Sequence, residues 1–168
     1  MNDVRVVDNF LPQEVFKQLQ DVALGGYIPW FYSSSSVQTG DGCPQFSHTC
    51  YNNLEPTSQF WGEVKPVIAQ INPLGLSRIK FNCTPRTSEI IEKPLHYDIT
   101  FDMEGNNPAT SNICILYLND NNGYTYFETG DKIESVSNRA VFFSCSLKHG
   151  GSSCTDQDRR ILLNINYT

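Results

Sequence analysis

Residues 112–127, NICILYLNDNNGYTYF, hold two short runs of apolar, β-branched and aromatic residues, 112–119 and 124–127, around the turn residues of 119–123. A run of this length bounded by Asn, Asp and Gly reads as a strand, and two of them in succession read as antiparallel neighbours. The same alternation of run and turn extends outward in both directions. Further strand-like runs lie at 76–84, 89–98, 132–136, 140–145 and 160–167, with turn signals at 102–108, 130–131 and 150–153. On the N-terminal side the pattern changes. After a strand-like start at 4–7, Pro12 opens a segment with Val15, Phe16, Leu19, Val22 and Ala23 at helical spacing, closed by Gly25-Gly26. Thr57 or Ser58 caps a second helix with Phe60, Val64, Val67, Ile68 and Ile71, which Pro66 is expected to kink or divide. Helices first and strands after predict a mostly β fold, an antiparallel β-sandwich or a double-stranded β-helix (jelly roll), with supporting N-terminal helices. The expected organisation is one domain over 1–168, with 1–74 as helical support and loop and 75–168 as the jelly-roll core. Residues 27–55, with Trp30, Phe31 and Tyr32 ahead of four serines and Gly40, Gly42 and Pro44, show no sustained period. They read as a long loop and a candidate lid.

The chain has 168 residues, the length of one domain, and 39% hydrophobic residues suffice for a core. Eighteen acidic against twelve basic side chains leave a net charge of −6, which disfavours a nucleic-acid partner. No basic leader precedes an apolar stretch and no apolar run reaches a membrane span, so a cytoplasmic protein without membrane attachment is expected. Six cysteines occur without a C-x-x-C pair, and reduced, structural thiols are the expectation. The sequence sets no oligomeric state.

Chemistry concentrates in His96-Tyr97-Asp98, His149 and Arg160. On a strand, His96 and Asp98 project to one face and Tyr97 to the other. A second histidine from a distant strand, His149, then completes two imidazoles and one carboxylate on one side of a metal, the set suited to non-haem Fe(II) with open positions. His48 lacks a positioned partner and reads as an ordinary solvent-facing histidine.

In order along the chain, these residues and their surroundings resemble the Fe(II)/2-oxoglutarate-dependent dioxygenases, in particular the prolyl-4-hydroxylase-like branch. His96-Tyr97-Asp98 is similar to the family's H-x-D, 113–119 to its YLN strand, and 123–127 (GYTYF) to its G-x-T-x-F strand. Residues 138–143 resemble the approach to the distal histidine, here His149, and 160–163 the strand that anchors the cosubstrate. The resemblance implies Fe(II) on His96, Asp98 and His149, and 2-oxoglutarate held by Arg160 with Tyr117 and Asn164. It also implies dioxygen as the oxidant, with ascorbate supporting activity. Oxidative decarboxylation to succinate and CO2 would then drive hydroxylation of an unactivated C–H bond. Asp98 favours hydroxylation, because halogenating relatives replace this carboxylate.

The substrate implied first is a peptidyl proline, and second a free amino acid or other small molecule. Two positions depart from the prolyl-hydroxylase pattern: Asn122-Gly123 stands where a double glycine is usual, and 82–86 (NCTPR) lacks the arginine-tyrosine often found there. A catalytically inactive jelly-roll binding module and a metal-binding cupin without 2-oxoglutarate are the alternatives of other classes. Nucleobase demethylation is disfavoured by the acidic balance and by Asn166 in place of a second arginine in the last strand. In that strand Arg159 and Arg160 point to opposite faces. The resemblance turns Arg160, Leu162 and Asn164 toward the cosubstrate and leaves Arg159, Ile161, Leu163 and Ile165 to pack against the helices.

Overall fold

A computed structural model describes residues 4–98 and 111–168. The expected turn at 102–108 lies outside the described residues. In chain order the elements are β1 (Arg5–Val7), α1 (Gln13–Leu24), β2 (Phe31–Ser33), β3 (Gln45–Asn52), β4 (Glu55–Pro56), α2 (Trp61–Ile71), β5 (Leu76–Pro85), β6 (Asn112–Tyr117), β7 (Tyr124–Phe127), β8 (Lys132–Glu134), β9 (Ala140–Ser144), β10 (His149–Gly151) and β11 (Arg159–Tyr167). They build a major sheet in the order β1-β9-β6-β11-β5-β3-β2, with β4 paired to β3, and a minor sheet β10-β7-β8. All pairs are antiparallel. This is the expected mostly β jelly roll with two N-terminal helices.

Period-two alternation on the central strands sorts side chains between two cores. On β6, Cys114 and Leu116 join Ile161, Leu163 and Ile165 of β11 and Ile79 and Phe81 of β5 in a core that packs against Phe16 and Leu19 of α1 and Val64 and Val67 of α2. Ile113, Ile115 and Tyr117 face the other way, with Phe127, Phe143 and Leu162, between the sheets. Each such buried aliphatic side chain contributes roughly 1.5–3 kcal/mol. The face of β5 and β11 opposite the helices is therefore free to carry polar residues.

Several local expectations change. Pro66 lies inside α2 without dividing it. Only about one turn precedes it, so the lost hydrogen bond is confined to the helix start. Neither Thr57 nor Ser58 is the cap residue; Phe60 is, and Ser58 Oγ accepts from its backbone N–H at 3.0 Å. Residues 27–55 are not one long loop. They contain β2 and the eight-residue β3, which pairs with β5 along most of its length, so residues from 1–74 complete the major sheet. The missing period reflects a strand whose two faces meet different surroundings, one the helices and the other a polar cavity.

Residues 89–98 form no regular strand. Isolated bridges join Glu92 to Ser152 and His96 to His149, and Pro94, which has no N–H to give, interrupts the ladder between them. Conversely, 150–153, read as a turn, begins inside β10. Gly150 is required there: a Cβ would meet the Tyr126 ring at 2.6 Å and the Lys93 carbonyl at 2.8 Å. All six cysteines are free and buried, as expected of structural thiols. Among the described residues no helix is long and apolar enough to cross a membrane.

Candidate metal centre and anion cavity

His96 enters the site from the irregular segment 89–98, and the antiparallel bridge to His149 on β10 ties the two imidazoles together. The backbone N–H groups of His96 and His149 each donate to the other's carbonyl, at 2.9 and 3.1 Å. Their ring centroids lie 4.7 Å apart. Each Nε2 faces Asp98 Oδ1, at 3.4 Å from His96 and 3.9 Å from His149. One ligand atom from each of the three residues lies within 4.8 Å of the others.

The carboxylate is oriented from outside. Asn164 Nδ2 donates to Asp98 Oδ2 at 2.6 Å, which leaves Oδ1 to the imidazoles. Arg78 Nη2 approaches Oδ1 at 3.5 Å. Burial by itself raises the Asp98 carboxyl, but the hydrogen bond from His96 and the charges of His149 and Arg78 outweigh it and hold the group ionised, well below its ordinary value. Burial pushes the His149 imidazole down to about 4, against the pull of Asp98, so the ring is neutral and able to ligate near neutral pH. Two imidazoles and one carboxylate with converging ligand atoms fit a divalent first-row metal with open positions.

The three residues border a cavity of about 260 Å³ between the sheets. Arg160 lies across it and is 3% exposed. Its Nε donates to Ser135 Oγ at 2.7 Å and its Nη2 to Thr125 Oγ1 at 3.1 Å, and no ion pair involves it among the described residues. Gly123 makes room for it, since a Cβ there would meet Arg160 Cδ at 2.7 Å. The last strand has the alternation expected: Arg160, Leu162 and Asn164 line the cavity, while Ile161, Leu163 and Ile165 pack toward the helices. Arg159 Nη2 donates to the Leu24 carbonyl at the end of α1.

Placement differs from expectation for several residues. Tyr117 is fully buried and does not border the cavity; its hydroxyl donates to Thr125 Oγ1 at 2.8 Å, behind Arg160. Asn164 does border it, but its amide N–H is committed to Asp98. Tyr97 borders the same cavity as its neighbours instead of turning away, because 96–98 is not a pleated strand. His48 is not solvent-facing. It is 6% exposed, with Nδ1 at 2.9 Å from the Pro29 carbonyl and Nε2 at 2.6 Å from Ser58 Oγ. Those two contacts bind β3 to the segments before β2 and α2, a structural role away from the metal residues.

Sequence reasoning missed Arg78, Lys80, Lys93 and Thr125, all on the cavity wall. Lys93 is buried, and its Nζ donates to Thr84 Oγ1 at 2.9 Å and Gln45 Oε1 at 3.1 Å. Thr125 was within reach, as the threonine of the GYTYF motif. The basic residues of β5 were hidden because their face depends on which strands flank it.

Several solved structures share this architecture. The non-haem α-ketoglutarate-dependent epimerase SnoN from nogalamycin biosynthesis is 13% identical with a TM-score of 0.70, covering 99% of this chain and 78% of that one. A Trichoplax adhaerens prolyl hydroxylase in complex with a hypoxia-inducible-factor peptide fragment is 12% identical with a TM-score of 0.69, covering 99% and 84%. A Pseudomonas putida prolyl-4-hydroxylase is 12% identical with a TM-score of 0.57, covering 99% and 93%. No family model matches the sequence, and neither does any curated protein. The fold is thus that of the 2-oxoglutarate-Fe(II) oxygenases.

Proposed function

We propose that this protein is an Fe(II)- and 2-oxoglutarate-dependent dioxygenase that hydroxylates an unactivated C–H bond. The observation that carries the reading is one cavity holding both the His96–Asp98–His149 cluster and a buried Arg160 with no carboxylate partner among the described residues. A buried cation held only by hydroxyl groups calls for an anion. Arginine suits the distal carboxylate of an oxo acid, to which its planar fork gives two charge-assisted hydrogen bonds.

His96, Asp98 and His149 would hold the metal, and Asn164 keeps Asp98 Oδ1 aimed at it. Bound there, iron(II) supplies the oxidising chemistry: dioxygen is consumed, 2-oxoglutarate is converted to succinate and CO2, and a C–H bond becomes C–OH. Arg160, set by Ser135 and Thr125, orients the oxo acid from its far end. Thr125 Oγ1 accepts from both Tyr117 and Arg160, so its own proton is free to donate toward the cavity. The walls of Leu162 and Ile115 exclude water from one side.

The substrate expected from sequence is a peptidyl proline, and the fold is shared with a prolyl hydroxylase that was solved with a peptide. It is shared equally with SnoN, solved in complex with Fe3+, α-ketoglutarate and nogalamycin RO, which keeps a small molecule open. The basic cavity wall favours the small molecule.

The test is metal stoichiometry after anaerobic reconstitution, followed by CO2 release from 2-oxoglutarate with ascorbate present. One Fe(II) per chain is expected, and His96→Ala, Asp98→Ala and His149→Ala should each lose metal and turnover while circular dichroism is retained. A fully active His149→Ala would overturn the assignment.

A further inference from the structure

This net-acidic chain gathers basic side chains in one concave place. Among the described residues around the cavity Arg78, Lys80, Lys93 and Arg160 are basic, and Asp98 alone is acidic. A divalent metal and a dianionic oxo acid carry equal and opposite charge, so loading both leaves the cationic excess as it was. Buried charge without a counter-charge is unfavourable, and a third component that brings an anion relieves it.

The cations are not clustered at one point. Arg160 is paired in register with Thr84, whose hydroxyl accepts from Lys93, so these two cations share one end of the β5–β11 face. Arg78 lies at the other end, against Asp98. Between them on β5 stand Lys80 and Asn82, two positions apart and thus on one face, roughly 6–7 Å along the strand. Lys80 Nζ makes no hydrogen bond or ion pair among the described residues, and its ammonium is lowered by burial first and by Arg78 second, with the charge of Asp98 opposing both from beyond contact distance. Asn82 Oδ1 is buried without any donor. The strip therefore offers a cation lacking an anion beside an acceptor lacking a donor.

We propose that the primary substrate is a small organic acid with an amino or hydroxyl group beside its carboxylate, and that Lys80 takes the carboxylate while Asn82 Oδ1 accepts from the neighbouring group. This rests on the oxygenase reading above. A peptidyl proline has neither the charge for Lys80 nor an N–H for Asn82. The cavity, about 260 Å³, is also smaller than the ~300–1,000 Å³ usual for ligand sites.

Calorimetry of 2-oxoglutarate on Mn(II)-loaded protein comes first and tests the oxygenase reading alone; no binding sinks that reading and this inference with it. Given binding, succinate formation by the Fe(II) enzyme is measured with free α-amino and α-hydroxy acids, each against its carboxamide, and with a proline-containing peptide amide. At least one acid should stimulate turnover while its carboxamide does not. On the protein loaded with Mn(II) and 2-oxoglutarate, Lys80→Met should weaken that acid roughly tenfold or more. The loss should exceed any loss for 2-oxoglutarate, and Arg160→Met should show the opposite order. The proposal fails if no acid acts, if carboxamides or the peptide amide act equally, or if Lys80→Met leaves the acid's affinity unaltered.

Discussion

Thr125 Oγ1 is the hinge of the anion end at the scale of single residues, because it receives hydrogen bonds from Tyr117 and Arg160 and has one proton left to give. Tyr117 was expected beside the cosubstrate; its hydroxyl instead sits one step behind, so its influence passes through Thr125. Thr125→Val should therefore weaken 2-oxoglutarate binding by about tenfold, the value of one hydrogen bond to a charged group plus a displaced arginine. Tyr117→Phe should act in the same direction but less, since it removes the contact that orients Thr125 and a longer one, 3.3 Å, to the Ile133 carbonyl, and leaves Thr125 itself in place. Titration of 2-oxoglutarate on Mn(II)-loaded protein separates the two; a larger loss in Tyr117→Phe would return the tyrosine hydroxyl to direct contact. The threonine was visible in the GYTYF motif. Its role was not, because a motif records spacing and this role depends on a hydroxyl shared across strands.

At the scale of elements, β11 shows how alternation divides adjacent residues between two jobs. Arg160 faces the cavity, and Arg159 reaches across the other face to the Leu24 carbonyl at the end of α1. Arg160→Ala should raise the 2-oxoglutarate requirement steeply, whereas Arg159→Ala should change it little and lower stability by about 1 kcal/mol through the lost helix contact. CO2 release titrations and urea unfolding of the two variants check this, and a larger cosubstrate defect in Arg159→Ala overturns the register. β11 was legible in sequence because its two faces differ in composition. β3 was not: its inward and outward residues, such as Phe46, Ser47 and His48, show no apolar alternation, so it read as loop. With β3 in the sheet, the candidate lid reduces to residues 34–44, from which Ser36 and Val37 reach the cavity wall and Asp41 accepts from the backbone N–H groups of Ser36, Val37 and Gln38.

Across the whole molecule, an acidic chain encloses a basic cavity, and stability should record that conflict. Burial first, and the charge of Arg160 second, push the Lys93 ammonium from an ordinary 10.5 down to about 8. Between those values the unfolded chain holds a proton that the folded protein has released, so this group makes stability rise with pH across that window. Below it the penalty is present in full. Wild type should accordingly gain stability over Lys93→Met, by up to a few kcal/mol, as pH increases from about 8 to 10.5. Urea unfolding of both proteins across the window measures the difference, and a constant gap would show that the ammonium is not desolvated.

Sequence alone set the two helices and the strands between 112 and 167 except β10, and it singled out His96, Asp98 and His149 as proposed metal residues and, through the family resemblance, Arg160 over Arg159 as the proposed anion anchor. The elements rest on local information, a period, a turn residue or a spacing, whereas the arginine rests on the resemblance. Only the tertiary structure decided that β3 completes the major sheet, that Tyr97 borders the cavity, that Tyr117 lies behind Thr125, and that Arg78, Lys80 and Lys93 gather around one space. Those facts depend on which strands pair and in which register, and pairing between segments distant in sequence is set by the cooperative packing of both cores.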